Sequence, residues 1–221
     1  MTNDSNSPTT PKDQAPATEP VEERNWDVIF GVLLSIFAAT LAINDLGAGK
    51  FGEDEIQLTT EKSNIYQWYS SKGIKETLVE GQRDLLNTLM LGGAVSPGQT
   101  LGMQKMSADL DEKIKRFKKE KKEILLGSRA VGQENWVQEI DGEFGKVIGA
   151  KEIETKVARL SSAGDRFDLA TLFLQLSIVM GAIGIVMKKE NVKSVFVSIM
   201  SLLGVTGGVI SVLAFRIALG S

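Results

Sequence analysis

The chain has 221 residues, of which 43% are hydrophobic and 24% are charged, with a formal net charge of −3. It contains no cysteine and no histidine, which excludes disulfides, thiolate chemistry, Cys/His metal sites and catalytic triads that use imidazole. The apolar residues are concentrated in three almost uncharged windows, residues 28–44, 169–187 and 194–215. A soluble domain rarely segregates its apolar residues in this way, so the composition predicts a membrane protein.

The first 25 residues are rich in Ser, Thr, Asn and acids and hold four of the chain's five prolines. Such a segment buries too little apolar surface to offset its ordering entropy, which predicts a disordered acidic tail over residues 1–25. Residues 26–46 follow as the first transmembrane helix, with Trp26 in the headgroup belt. The acidic lead favours an uncleaved signal anchor over a cleaved signal peptide or a buried soluble helix.

A glycine-rich segment follows this span. Residues 47–50 look like a fragment of a phosphate-binding loop, but the first glycine is missing and Phe51 stands where a hydroxyl is needed. The segment is therefore interpreted as a flexible exit from the membrane.

Residues 47–166 are predicted to form an extramembrane helical domain. Apolar residues recur there at three- and four-residue steps, which indicates helices. These positions are Ile74, Leu78, Leu85 and Leu89, then Met103, Met106, Leu110, Ile114, Phe117 and Ile124, then Ile153, Val157 and Leu160. Glycine-rich breaks at residues 92–98 and 127–135 predict an antiparallel helical hairpin or coiled coil, with a third helix from about Trp136 beside it. The seams are short of strong apolar residues, so we expect partner helices, most simply from another copy.

A basic run crosses the second of these helices at residues 113–122. Its basic face comprises Lys115, Arg116, Lys118, Lys119 and Lys122. Acids at three- and four-residue spacing, including Glu120 and Glu123, favour a solvated helix face. An anionic-lipid surface is a further hypothesis, and nucleic acid is not an expected partner.

Residues 167–187 and 194–216 are the second and third predicted spans, joined by a short basic loop at residues 188–193. Lys188, Lys189 and Lys193 in this loop predict that it stays in the cytoplasm. That orientation makes the N-terminus cytoplasmic and the helical domain periplasmic. The expected fold is therefore an all-α membrane protein with three transmembrane helices and an extramembrane helical segment.

Charged residues near the ends of the spans are candidate functional groups. Threading the spans alternately brings Asp45, Asp168 and Arg216 to one membrane face, which predicts an ion pair there. The alternative is that Arg216 only extends its side chain to the interface. Gln175 adds a polar group inside the second span.

Glycines within the spans are candidate helix-packing residues. Gly204 and Gly208 form a Gly-xxx-Gly pair in the third span, and Gly181 and Gly184 add small surfaces to the second. Such residues let helix backbones approach closely.

Three segments carry a resemblance to a known family. They are QWYSSKGIK at residues 67–75, KEKKEI at residues 119–124 and FDLATLFLQL at residues 167–176. Over roughly residues 26–215 the chain resembles an uncharacterised bacterial three-pass membrane family, a domain of unknown function, although Gly73 stands where a serine is expected. The resemblance implies a bacterial membrane location and brings no activity, substrate or catalytic residue.

Together these features predict a multi-pass protein of the bacterial inner membrane that is not an enzyme and uses no cofactor or metal. We expect a membrane-anchored helical scaffold or accessory subunit whose partners are lipids and either itself or other membrane subunits. No small-molecule substrate is identified. The alternative is a transport or channel component in which Gln175, Asp168 and Arg216 line a polar path.

Overall fold

The computed structural model describes residues 25–93 and 96–220, which are almost entirely α-helical. The predicted disordered tail therefore lies outside the described residues, apart from Asn25. The helices are α1 (Trp26–Leu91), α2 (Pro97–Leu126), α3 (Ser128–Val131), α4 (Ala150–Val186) and α5 (Glu190–Leu219). A 3-10 turn spans Gln133–Asn135, and β1 (Glu139–Ile140) pairs antiparallel with β2 (Glu143–Phe144).

Helix α1 is a single helix of 66 residues, about 99 Å long at 1.5 Å per residue. The prediction of a flexible exit at residues 47–50 is wrong, because the helix continues through them. Gly47 is buried, and a Cβ atom there would collide with the ring of Phe215. The glycine therefore permits a close approach between helices and does not interrupt α1.

The predicted start of the third helix near Trp136 is also wrong, because α4 starts only at Ala150. The segment before it forms the β1–β2 hairpin, whose turn contains Asp141 at φ 53° and Gly142 at φ 81°. An Asp-Gly pair in the left-handed region is the sequence typical of a tight hairpin turn. From Ala150 the helix runs without a break into the second apolar window.

Three helices are long and apolar enough to cross a membrane, by length and composition: α1, α4 and α5. The first apolar part of α1, the end of α4 and all of α5 pack together, and this assembly is called the bundle below. Residues 187–189 connect α4 to α5. This connection is shorter than the predicted loop at residues 188–193, because α5 already begins at Glu190.

The bundle has an aromatic-rich core at both ends. Phe30 and Phe37 of α1 are buried with Leu174 and Met200 at one end. At the other end Phe167 of α4 meets the ring of Phe215 edge-on at 4.9 Å. Phe51 stacks on Phe167 with ring centroids 5.9 Å apart. Buried aromatic pairs of this kind join the helices by apolar contact and ring geometry.

Residues 65–91 of α1 and the whole of α2 form a second region, called the rod below. Ion pairs of Lys72 with Glu120 and of Arg83 with Asp111 show that the two helices run antiparallel. The α2 side of the interface includes buried apolar residues, as its spacing predicts. These are Leu110, Ile114 and Ile124.

The predicted seam on α1 does not face α2. Ile74, Leu78 and Leu85 are 69%, 63% and 61% exposed. The reason is that α1 carries a second, competing face that includes Trp68 and Val79, both partly buried. This second face also holds the charged residues that pair with α2, and it is the face of α1 that packs against α2.

Candidate functional site

In the rod, a row of ion pairs joins α1 to α2, and this row is called the ladder below. The carboxylate of Glu120 is 3% exposed and lies 2.7 Å from Lys72 Nζ and 2.9 Å from Arg116 Nε. An unpaired carboxylate at this depth would be strongly destabilising. Lys72 of α1 therefore fixes Glu120 and with it the register of α2 on α1, while Arg116 binds the same carboxylate from within α2.

The next step of the ladder is centred on Glu76, which is buried. Lys121 Nζ donates a hydrogen bond to Glu76 Oε2 at 2.9 Å. This hydrogen bond raises the pKa of Lys121 above its usual value, against the opposing effect of desolvation. Lys118 lies 3.2 Å from Glu80 and 3.8 Å from Glu76, so it also faces α1.

The last steps lie nearest the tip of the rod. Arg83 lies 2.7 Å from Asp84 and 3.1 Å from Asp111. Hydrogen bonds to Asp84 and then Asp111 raise the pKa of Arg83. Ser107 donates to Asn87 Oδ1 at 3.0 Å. Because charged groups must meet their partners in one register, the ladder specifies how α2 lies on α1.

The opposite face of α1 carries an apolar stripe, defined by Ile74, Leu78, Gly81 and Leu85. The four positions follow each other at steps of four, three and four residues, which places them on one side of the helix. Together with Tyr69 and neighbouring small residues they line an open groove of about 840 Å³. Ile56 lies 18 residues, or five turns, before Ile74 on the same side and is 70% exposed.

This stripe lies far from the apolar part of α1. Ile74 is 28 residues beyond Leu46, the predicted end of the first span, which is about 42 Å along a helix. Three exposed aliphatic residues in a row are unusual on a solvated helix otherwise rich in charge. The stripe is therefore the candidate functional surface of the rod.

The predicted basic face is divided by the structure. Arg116 and Lys118 take part in the ladder. Lys115, Lys119 and Lys122 are exposed on the outer side of α2 and are in none of the ion pairs within the described residues. This outer side lies level with residues 73–80 of α1, about 40–50 Å beyond Leu46. Because salt screens charges beyond about 8 Å, this distance argues against contact with a membrane surface at the predicted end of the first span.

Glu123 has a structural role that its sequence position does not indicate. It was expected to pair with the basic run, but it is fully buried. Its Oε1 accepts a hydrogen bond from Ser128 at 2.8 Å, and its Oε2 accepts two from the backbone N–H groups of Val137 and Gln138 at 2.9 Å. Ser128 in turn accepts from Val147 N at 3.0 Å. Glu123 therefore organises the loop between α2 and α4.

The predicted packing glycines fall into two groups. Gly204 lies against Phe37, Gly184 against Phe30, and Gly181 against both Leu34 and Met200. Each lies where a Cβ atom would collide with a neighbouring helix, so these three permit close approach.

Gly208 is on a different face of α5. A Cβ atom there would have nothing within 4 Å among the described residues. The inward partner of Gly204 is Gly207, where a Cβ would lie 2.8 Å from Leu174. The signal that identifies Gly207 is its continuation by the small residues Ser211 and Ala214 on the same buried face. Packing of Gly208 against a helix of another chain stays a prediction.

A buried polar group joins α1 to α4 near the predicted ion pair. Asn44 Nδ2 donates to Phe167 O at 3.1 Å and to Thr171 Oγ1 at 2.8 Å. Thr171 Oγ1 donates to Asp45 Oδ1 at 3.1 Å. The signal for such a bond in the sequence is an asparagine at the end of an apolar window.

The three residues of the predicted ion pair lie at a common level of the bundle. Asp45 contacts Thr171 of α4, and Phe167 and Phe215, the neighbours of Asp168 and Arg216, are in ring contact. Asp168 and Arg216 are both exposed. The ion pair between them stays a prediction.

Gln175, the polar residue of the second span, points away from the bundle core. It is exposed, whereas its neighbours Leu174 and Ser177 are buried. Asp168 and Arg216 are exposed as well. The three residues of the predicted polar path therefore do not meet in the interior of a single bundle.

Comparison with known proteins identifies the family. The profile of a domain of unknown function (DUF4337) matches residues 26–217. The chain belongs to this family, which confirms its predicted membership of an uncharacterised family. No curated protein and no solved structure matches the chain.

Proposed function

We propose that this DUF4337 protein is a non-catalytic, membrane-anchored helical scaffold, or an accessory subunit of a larger bacterial membrane complex. The observation that carries the proposal is the apolar stripe on the rod. It belongs to the same uninterrupted helix as the first apolar window, so a partner bound at the stripe is linked rigidly to the bundle. Burying a leucine or isoleucine stabilises a contact by about 1.5–3 kcal/mol.

The outer surface of the bundle supports membrane insertion. In the most apolar stretch of 18 residues in each of α1, α4 and α5, only 11%, 28% and 22% of the residues are buried within the chain. The outward residues include large aliphatic ones such as Val32, Leu172 and Leu202. A surface this apolar is matched by lipid or by other spans and not by water.

The proposed orientation is a cytoplasmic N-terminus and a periplasmic rod in the inner membrane. Lys188, Lys189 and Lys193 support it through the positive-inside rule. Lys193 also lies 3.1 Å from Asp27, so the start of α1 is at the same end of the bundle as this basic connection.

Labelling with an impermeant thiol reagent tests this orientation on a background without cysteine. We expect Lys119→Cys to react in intact inner-membrane spheroplasts, because the rod is proposed to be periplasmic. Asn191→Cys should react only after lysis, because its connection is proposed to be cytoplasmic. Both positions are exposed, so burial within the chain does not limit labelling at either one. Ser128 is unsuitable as a reporter because it is fully buried. The opposite pattern would place the rod in the cytoplasm.

The scaffold proposal is tested by native mass spectrometry after extraction in mild detergent. We expect a stoichiometric complex, either of this chain alone or with another membrane subunit. Leu78→Asp combined with Leu85→Asp should dissociate it, because the aspartates would place charge in the contact. Leu101→Asp is the matched control, since Leu101 is 78% exposed and lies on α2 outside the stripe. A wild-type monomer with no retained subunit would contradict the proposal.

The second candidate is a transport or channel component. Its specific support is that Gln175, Asp168 and Arg216 face outward, so that a polar path between bundles could include them. The test is reconstitution in planar bilayers. Single-channel steps whose ion selectivity changes with Arg216→Glu would establish the pore in place of the scaffold.

A further inference from the structure

We propose that the apolar stripe binds the same stripe of a second copy of this chain, so that two α1 helices pack parallel and in register along the rod. This inference rests on the proposed scaffold function and names the partner and the geometry of its contact.

No other element of the chain covers the stripe within residues 25–93 and 96–220. Helix α2 lies on the opposite face of α1, where Glu76 and Arg83 join the ladder. Moving α2 onto the stripe would separate these charges from their partners, which buried or half-buried groups resist strongly. The occupant therefore comes from outside the chain.

The absence of charge along the stripe restricts what the occupant can be. Over residues 63–89 the middle of the stripe holds only polar uncharged or apolar side chains, and the nearest exposed charges, Lys75 and Asp84, lie at its two edges. The positions in the middle are Ser63, Gln67, Ser70, Ser71, Ile74, Thr77, Leu78, Gly81, Leu85, Thr88 and Leu89. A matching surface must be uncharged as well, since an unpaired charge in such a contact is costly.

Another copy offers two exposed helix faces at this height. The outer side of α2 presents Lys115, Lys119 and Lys122 and does not match an uncharged groove. The stripe itself matches, and two identical neutral stripes meet without like-charge repulsion. Charge thus selects the contact of α1 with α1.

The spacing of the stripe suits parallel pairing. Ile74 and Gly81 are seven residues apart, and so are Leu78 and Leu85, which is the repeat of a two-stranded coiled coil. Gly81 lets the two backbones approach, while Leu78 and Leu85 supply the apolar contact. Because α1 continues into the proposed membrane span, both copies leave the membrane in the same direction and at the same height. Equivalent residues therefore face each other.

Disulfide cross-linking in native membranes tests this arrangement, since the chain lacks cysteine. We expect Leu78→Cys and Leu85→Cys, introduced separately, each to form a covalent dimer on mild oxidation. Lys119→Cys is the control at the same height, on the outer side of α2, and should remain monomeric. Equal cross-linking at positions 78 and 119, or none at 78 and 85, would overturn the proposal.

Co-purification of two differently tagged copies gives an independent measure. We expect Leu78→Asp with Leu85→Asp to reduce recovery of the second copy about tenfold or more, equivalent to at least about 1.4 kcal/mol of association free energy. Leu101→Asp should leave recovery unchanged. If cross-links are absent while native mass spectrometry shows a complex with a different subunit, self-pairing fails and the scaffold stands. If no complex of either kind forms, both fail.

Discussion

The bundle and the rod differ in which types of residue they bury. In the bundle, small residues and aromatic rings are buried, as where Gly204 lies against Phe37, and aliphatic side chains face outward. In the rod, carboxylates such as Glu76 and Glu120 are buried, and the aliphatic stripe faces outward. Both regions therefore expose apolar surface. That of the bundle belongs to the apolar windows themselves, whereas the stripe on the rod lies far from them.

The difference indicates what covers each surface. Lipid accounts for the outward aliphatic residues of the bundle under the proposed function. It does not account for the stripe, because Ile74 is about 42 Å beyond Leu46. Under the proposed function, a protein partner removes these aliphatic residues from water.

The largest expected effect distinguishes inward from outward glycines of the bundle. Gly204→Leu should destabilise the protein by about 3 kcal/mol or more, because the new side chain collides with Phe37 and forces the helices apart. Gly208→Leu should cost little folding stability, because a Cβ there is in open space within the described residues. Thermal unfolding in detergent compares the two variants. Equal losses would show that the bundle is packed differently.

The next effect concerns the loop that closes the rod against α4. Glu123→Ala leaves the Ser128 hydroxyl and two backbone N–H groups without their acceptor, which should cost about 2–3 kcal/mol. Faster amide hydrogen exchange at Val137 and Gln138 is the specific sign. Glu112→Ala is the control, since Glu112 is exposed. Unchanged exchange at these two amides in Glu123→Ala would refute this role.

A smaller effect is expected for a single step of the ladder. Glu76→Gln keeps the shape of the side chain but removes the charge that Lys121 and Lys118 face. The cost should be about 1 kcal/mol, because Glu76 is buried but both lysines are partly exposed and stay solvated. This loss of stability should shrink at high salt, because salt screens the attraction between Glu76 and the two lysines in the wild type. A salt-independent loss would point to packing as its cause.

The smallest effect is a dependence on alkaline pH. The pKa of Lys121 is raised in the folded protein by its hydrogen bond to Glu76. The ion pair therefore contributes its full stability below the unfolded value of about 10.4, and this contribution is lost as the pH rises through the folded value. Unfolding measured from pH 8 to pH 11 should show this decline in the wild type and less of it in Glu76→Gln. Equal declines would exclude Lys121 as the titrating group.

Sequence patterns predicted the location of the three apolar helices because length and hydropathy are local properties. They did not predict that α1 is continuous, since the effect of Gly47 depends on Phe215, a residue distant in sequence. The choice of the α1 face that meets α2 was missed for a similar reason. Apolar periodicity favoured Leu78 and Leu85, whereas cross-helix partners for Glu76 and Arg83 decided the contact.

The candidate surface was thus visible in the sequence, but its exposure was not. The apolar repeat at Ile74, Leu78 and Leu85 is evident from spacing alone. That these residues remain uncovered follows only from the position of α2, and Glu123 became recognisable as a loop organiser only from its three hydrogen-bond donors.

The rate of thiol labelling at Leu78→Cys in native membranes tests the central claim, that the stripe is covered by protein. Lys119→Cys at the same height provides the reference rate for an exposed position on the rod. The account predicts that Leu78→Cys reacts about tenfold more slowly than Lys119→Cys, and that adding Leu85→Asp restores fast labelling. Equal rates at the two positions would show that the stripe faces water and would contradict the account.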